Sequence, residues 1–351
     1  MLGSLFGKFS RDMAIDLGTS NTLVYVKDNA IVINEPSVVA INSRTDTIVA
    51  VGEEARQMVG KTPTHIIASR PIENGVISDF EVTERMLKYF IDKVHEEVLS
   101  FMPRPRIIIS VPLGLTEVER KAVEDATLHA GAREIFLVEQ PMAAAIGTRL
   151  PIQDASGTLI VNLGGGITQI AVLSLGGVVN WKSLLIAGNE MDKNIIQYVR
   201  EHFNLLLGER SAEDLKISIG SAEELKEPIE TKIRGRDLIT GLPKEITITS
   251  NHIYAALSRS IHTIIDTIRD TIESTPPELV ADIYERGIML TGGGAMLRGL
   301  DRAISQEIKV SAHIADDPVT TVVRGAGIIL EDFENLKSIL LSGTKEELLR
   351  R

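Results

Sequence analysis

Along the chain, short runs of β-branched and apolar residues alternate with longer stretches whose apolar positions recur every three or four residues. The short runs are bounded by glycine, proline, asparagine and aspartate, and they predict strands over 13–16, 22–26, 31–34, 38–41, 107–111, 135–138, 158–161, 168–173 and 288–290. The longer stretches predict helices over 82–99, 117–130, 191–203, 251–274 and 297–308. Thr116 followed by Glu119 reads as a capping box, in which hydroxyl and carboxylate satisfy the free N–H groups at a helix start. Thr275-Pro276-Pro277-Glu278 reads as a helix stop and a fresh start. The stretch 205–249 is polar and irregular, and its charge-rich part, 223–236, reads as a solvated insertion. Strands followed by helices imply an α/β architecture.

One pattern repeats. Ile15-Asp16-Leu17-Gly18-Thr19-Ser20-Asn21-Thr22-Leu23-Val24-Tyr25-Val26 aligns without gaps on Val161-Asn162-Leu163-Gly164-Gly165-Gly166-Ile167-Thr168-Gln169-Ile170-Ala171-Val172 at an offset of 146 residues. Each copy is strand, glycine turn, strand, which implies two related domains. A third glycine turn, Gly292-Gly293-Gly294-Ala295, follows the strand at 288–290. Such turns expose backbone N–H groups that cradle phosphate oxygens, and the Thr19 and Ser20 hydroxyls add donors. Asp16, ending its strand before the turn, is placed to hold Mg²⁺ through water. A single turn of this kind is weak evidence, but two repeats and a third predict a nucleotide clamped between two domains.

Composition narrows the function. The 351 residues include 48 acids and 37 bases, a net charge of -11, which argues against nucleic acid as the main partner. There is no cysteine, so disulfides, thiolate-bound metals and thiol nucleophiles are excluded. The seven histidines are scattered without ligand spacing. No apolar run approaches the ~20 residues of a membrane span. At the N-terminus Leu2, Leu5, Phe6 and Phe9 fall on one helical face beside Lys8 and Arg11, the pattern of a short interfacial anchor; the alternative is a terminus packed on the body. The lone Trp181 reads as a packing residue, and 344–351 as a charged solvated tail.

Asp16 to Thr22 resembles the first phosphate motif of the actin, heat-shock chaperone and sugar kinase superfamily. Leu163 to Gly166 resembles its second, and Thr291 to Ala295 its adenosine motif. Within that superfamily the chain resembles the bacterial cell-shape actins of the MreB family from Met13 to about Leu330. The resemblance is carried by Asn34-Glu35-Pro36-Ser37-Val38, Gly60-Lys61-Thr62-Pro63, Gln140-Pro141-Met142-Ala143-Ala144-Ala145-Ile146-Gly147, Leu206-Leu207-Gly208-Glu209-Arg210, Thr240-Gly241-Leu242-Pro243 and Thr275-Pro276-Pro277-Glu278-Leu279. It implies an actin-like fold of two duplicated domains, each with a small subdomain, and nucleotide in the cleft between them. The implied anchor is 1–11. Domain I takes 12–154 and 327–351, with a subdomain near 42–74, and domain II takes 155–326, with a subdomain near 191–253. The resemblance also implies ATP and Mg²⁺ as ligands and self-assembly into antiparallel double filaments. It places these on the inner face of the cytoplasmic membrane, working with the cell-wall elongation machinery. Gly18, Thr19, Ser20, Asn21, Gly164, Gly165, Gly166, Gly292, Gly293, Gly294 and Ala295 match its nucleotide-binding positions, and Glu213 and Lys216 its nucleoside contacts; without the resemblance these last two read as a solvated helix pair.

The chain departs from that family where hydrolysis takes place. Gln140 stands where relatives carry an acid that helps activate the attacking water, and Ile167 where they carry a threonine that positions it. Asn162 replaces the aspartate that opens the second phosphate motif, and Gln169 and Asn189 replace further acids. An amide can orient water but has no useful basicity near neutral pH, and isoleucine has no hydroxyl. Loss of the Asn162 carboxylate weakens the metal site, leaving Asp16. The expectation is a nucleotide binder with weak or absent hydrolysis, unless Glu139 or Thr168 substitutes. An active sugar kinase of the superfamily is the main rival, but it needs a basic carboxylate at its acceptor hydroxyl. A chaperone-type ATPase is expected to carry a further substrate-binding domain, and none is expected to follow residue 351.

Overall fold

The computed structural model describes residues 10–96 and 104–341. The apolar stripe of Leu2, Leu5, Phe6 and Phe9 and the tail at 344–351 lie outside the described residues. The chain divides into two compact units. The first takes residues up to 154, 175–177 and those from 320 onward; the second takes 155–174 and 178–319.

The first unit opens with strands β1 (Met13–Leu17), β2 (Asn21–Val26), β3 (Ala30–Pro36), β4 (Val39–Asn42) and β5 (Thr47–Val51), then helix α1 (Glu53–Met58). Strands β6 (Ile66–Ser69), β7 (Ile72–Glu73) and β8 (Val76–Ile77) lead to α2 (Phe80–His95), β9 (Arg106–Val111), α3 (Glu117–His129), β10 (Glu134–Glu139) and α4 (Gln140–Gly147). The main sheet runs β10-β9-β1-β2-β3, with β10, β9 and β1 parallel. All five residues of β1 are buried, which is why it reads as an apolar run rather than an alternation. Helix α2 buries Val82, Met86, Leu87, Phe90, Ile91 and Val94, the face that helical periodicity predicts. The capping box at α3 is present: Glu119 N–H donates to the Thr116 hydroxyl at 3.3 Å, and Thr116 N–H donates to the Glu119 carboxylate at 2.8 Å. A three-stranded sheet, β5-β4-β6, closes over a small core of Val38, Ala40, Ala50 and Ala55.

In the second unit come β11 (Thr158–Leu163), β12 (Thr168–Ser174), β13 (Gly177–Leu184), α5 (Gly188–Phe203), β14 (Leu205–Leu206), α6 (Glu209–Ile219), β15 (Glu230–Asp237) and β16 (Pro243–Thr249). These are followed by α7 (Ser250–Glu273), α8 (Pro277–Arg286), β17 (Ile288–Thr291), a 3₁₀ turn (Gly293–Met296), α9 (Leu300–Ile308) and β18 (Ala312–Ile314). Its sheet runs β13-β12-β11-β17-β18. Read from the opposite edge, this is the strand order of the first sheet, with β11 in the place of β1 and β12 in the place of β2. The 146-residue repeat is thus a repeat of topology.

Three expectations change. The stretch 223–236 is not simply an insertion in solvent, because most of β15 lies in it and pairs with β16 over seven positions. Ile233 is buried, while on the exposed side Glu245 pairs with Arg234 at 2.8 Å and Lys232 at 3.2 Å. That ladder of charges hides the two-residue period. Trp181 lies within the edge strand β13 and is 41% exposed, so it packs with only part of its surface. The second division between units falls at 319/320, whereas 326/327 lies inside α10 (Thr321–Glu331). That helix returns the chain to the first unit and is followed by α11 (Phe333–Leu336). It buries Val322, Val323, Ala326, Ile329 and Leu330 and packs on α4, β1 and β2. Its contact with α4 is backbone on backbone: a methyl group at Gly325 would overlap the Ala143 carbonyl, and one at Gly147 the Thr321 carbonyl.

Candidate functional site

Each unit turns its chain at the same place, where the first strand of the repeat gives way to the second. In the first turn Gly18 N–H donates to Asn21 O at 3.1 Å; in the second Gly164 N–H donates to Ile167 O at 3.0 Å. The Ser37 hydroxyl donates to Gly18 O at 2.6 Å, and Ser37 N–H donates to Ser20 O at 2.9 Å. A trans peptide points its N–H opposite its C=O, so holding Gly18 O aims the Thr19 N–H away from Ser37. The Thr19 hydroxyl accepts from Gly75 N–H at 2.9 Å and keeps its own proton to donate. Asn21 commits its side-chain amide to Asn34 at 3.0 Å, which leaves its backbone as its part in the turn.

Behind the first turn, at the end of β1, Asp16 is 9% exposed. It accepts from the Ser110 hydroxyl at 2.6 Å and from the Gln140 side chain. Burial pushes its carboxyl up to about 6, against the two hydrogen bonds, which favour the ionised form. Gln140 is buried as the first residue of α4, so its amide serves Asp16. An acid in its place would set a second carboxyl against the first. The neighbouring Glu139 is partly buried, and that burial raises its pKa against the pull of Arg120.

The second turn is held by a helix. Gly188 N–H donates to Gly164 O at 3.1 Å and Asn189 N–H to Gly165 O at 2.7 Å, both from the first residues of α5. The third turn packs directly on it. Gly292 takes a positive φ of 79°, and a Cβ there would lie 2.8 Å from Asn162 Oδ1. Thr291 donates toward Asn162 Oδ1 at 3.3 Å, Gly292 N–H donates to Pro318 O at 2.8 Å, and Ala295 is fully buried beneath the turn. Gly293 is exposed, with open space where a side chain would be. Asn162 is thus brought to the third turn, as Asp16 is brought to Gln140. Gln169, directly opposite Asn162 in the ladder, is fully buried, and both its amide atoms lack a partner among the described residues. Ile167 is half-buried. Thr168 is fully buried, and its hydroxyl commits its proton to Ile186 O at 2.7 Å.

Glu213 and Lys216 lie one turn apart on α6, both partly buried. The Lys216 ammonium donates to Gly188 O at 2.8 Å and lies 2.8 Å from Asp192 Oδ1, an ion pair not aligned as a hydrogen bond. Sequence reasoning does not find Ser37, Ser110, Gly188 or Asp192 as parts of the site. Ser37 lies in a quoted family stretch and Ser110 is the last residue but one of β9, beside β1, but nothing local to either residue shows which atom it holds. Among the described residues no cluster of three or more metal-ligating side chains occurs, and no helix is long and apolar enough to cross a membrane. A metal here fits a site of one buried carboxylate, Asp16, completed by water and phosphate.

Duplicated five-stranded sheets of one order, each with a glycine turn after its first strand, define an actin-like fold. The structure matches that of MreB5 of Spiroplasma citri bound to ADP with a TM-score of 0.88 at 34% identity, covering 94% of this chain and 98% of that one. The same protein bound to AMPPNP gives 0.89. The chain belongs to the MreB/Mbl protein family, whose profile it matches over residues 10–338. It is 49% identical over 336 residues to the cell shape-determining protein MreB of Escherichia coli (strain K12), covering 94% of this chain and 96% of that protein. It is 48% identical over 328 residues to the cell shape-determining protein Mbl of Bacillus cereus, covering 93% and 98%.

Proposed function

We propose that this chain binds ATP with Mg²⁺, polymerises into membrane-associated filaments and takes part in determining cell shape, with weak or absent hydrolysis. The observation that carries nucleotide binding is the pair of turns closed by the same hydrogen bond, with Gly18 O, Gly164 O and Gly165 O all held from behind. Their partner N–H groups, on Thr19, Gly165 and Gly166, are left to meet phosphate oxygens. MreB5 with ADP and with AMPPNP supports the nucleotide class. Magnesium, when bound, would neutralise phosphate charge, with Asp16 holding it through water and Asn162 contributing a neutral oxygen or amide. Gln140 holds Asp16 and cannot take a proton from water. Ile167 offers no hydroxyl, and the Thr168 hydroxyl is buried with its proton committed to Ile186 O. The expected partners are further copies of the chain in antiparallel double filaments, the inner membrane face through Leu2, Leu5, Phe6 and Phe9, and the cell-wall elongation machinery. This is supported by the relatives named as cell shape-determining proteins.

Two measurements test the reading. High-speed pelleting with ATP, with and without liposomes, should bring the chain down; failure to pellet under any nucleotide counts against polymerisation. Steady-state phosphate release from the polymer should fall far below that of a relative with the acid and threonine in place. Equal turnover rejects the hydrolysis reading and leaves nucleotide binding standing.

A further inference from the structure

We infer that Lys216 is a positioning residue for the second phosphate turn, acting through the first residue of α5; the inference rests on the nucleotide reading. The chain of contacts lies within the second unit. Lys216 Nζ donates to Gly188 O at 2.8 Å and pairs with Asp192, one turn further along α5. Both side chains are largely shielded, 16% and 13% exposed, so water does little to weaken the pair. Gly188 N–H in turn holds Gly164 O at 3.1 Å, and Asn189 N–H holds Gly165 O at 2.7 Å. Those two carbonyls share peptide units with the N–H groups of Gly165 and Gly166. Because a trans peptide points its C=O and N–H in opposite directions, the start of α5 sets the direction in which both phosphate donors point.

Lys216 therefore pins the element that aims the donors. Gly188 permits the close approach: a Cβ there would stand 3.3 Å from Lys216 Nζ, 3.5 Å from Gly164 O and 3.5 Å from the Gly165 Cα. The ammonium's contacts are with Asp192 and a backbone carbonyl, so its action on a nucleotide runs through the turn.

The positioning role and a direct nucleoside contact predict different ligand dependence. Titration of the full chain with ATP, ADP and adenosine, each with Mg²⁺, separates them. Lys216→Met should weaken ATP and ADP about tenfold or more, the worth of one hydrogen bond to a charged group, and change adenosine by less than about threefold. Asp192→Asn is the sharper variant. Removing a negative charge would by charge alone tighten a triphosphate, whereas loss of positioning weakens it. Gly188→Ala should show the same phosphate-dependent loss on a smaller scale. Equal losses for adenosine and ATP overturn the inference, as does tighter or unchanged ATP binding by Asp192→Asn. If Lys216→Met fails to fold, the Asp192→Asn and Gly188→Ala titrations still decide. A wild-type chain that binds no ATP rejects the nucleotide reading itself, a separate result.

Discussion

The two glycine turns close on the same hydrogen bond but are braced by unrelated parts of the chain. A serine just after β3 holds the first through Gly18 O, and the start of α5 holds the second through Gly164 O and Gly165 O. In both, a carbonyl is tied back so that an N–H points out. The chemistry behind the turns has diverged further. Behind the first, Asp16 is a buried carboxyl fed by a hydroxyl and an amide; behind the second, Asn162 meets Thr291, and Gln169 lies opposite it. The two turns share one geometry, while a buried carboxyl lies behind the first only and amides lie behind the second. The proposed binding without cleavage rests on that asymmetry.

The largest expected effect comes from the three positions at which hydrolysis is proposed to be impaired. The combined change Gln140→Glu, Asn162→Asp and Ile167→Thr should raise phosphate release by about 10²-fold or more, the scale of one restored catalytic group. No gain would mean that the difference between the halves does not govern turnover.

Next is the carboxyl itself. Because burial raises Asp16 from 3.8 to about 6, the native state binds its proton more tightly than the unfolded chain across that interval. The stability tied to this proton is full below the ordinary carboxylate value and is lost as pH rises through about 6. A shift of about two units corresponds to ~3 kcal/mol. Asp16→Asn should therefore lose less stability than wild type between about pH 4 and pH 7, by up to that amount, in urea unfolding without nucleotide. Identical pH profiles would show that the burial is relieved in solution.

The turns should also differ in tolerance. A Cβ on Gly18 would stand 2.6 Å from Asn21 O, but one on Gly164 would stand 3.0 Å from Ile167 O. Gly18→Ala should cost about 1–3 kcal/mol and Gly164→Ala distinctly less, read from denaturant midpoints. The reverse order would break the equivalence drawn between them. Comparable to the lower end of the Gly18 effect is Ser37→Ala, which leaves the Gly18 carbonyl without its hydroxyl donor and should cost about 1–2 kcal/mol, with no matching loss at the second turn.

Much of the fold is legible in the residues because buried strands such as 13–17 and amphipathic helices such as 80–95 carry strong periodicity. The repeat predicts two related sheets before any strand order is known. What escapes is of two kinds. Helix α4 is short and almost uniformly buried, so it has no polar face to mark its period. At β15 surface ion pairs cover an alternation carried by few apolar residues. The site divides the same way. Gly18, Gly164 and Gly292 announce themselves by spacing, but Ser37, Ser110 and Asp192 act through partners that only folding supplies. Lys216 is legible as a family position, yet its pairing with Asp192 and Gly188 is not.

The bare crossing of α4 and α10 has a mechanical consequence. With glycines at 147 and 325, no side chain lies between the two backbones to change rotamer and absorb a displacement. The helices form a stiff coupling rather than a cushioned one. Gln140, which steadies Asp16, is the buried first residue of α4, directly after β10. A displacement of α10 therefore carries α4 with it instead of being taken up by rotamer changes between them, and α4 is the helix that begins with Gln140.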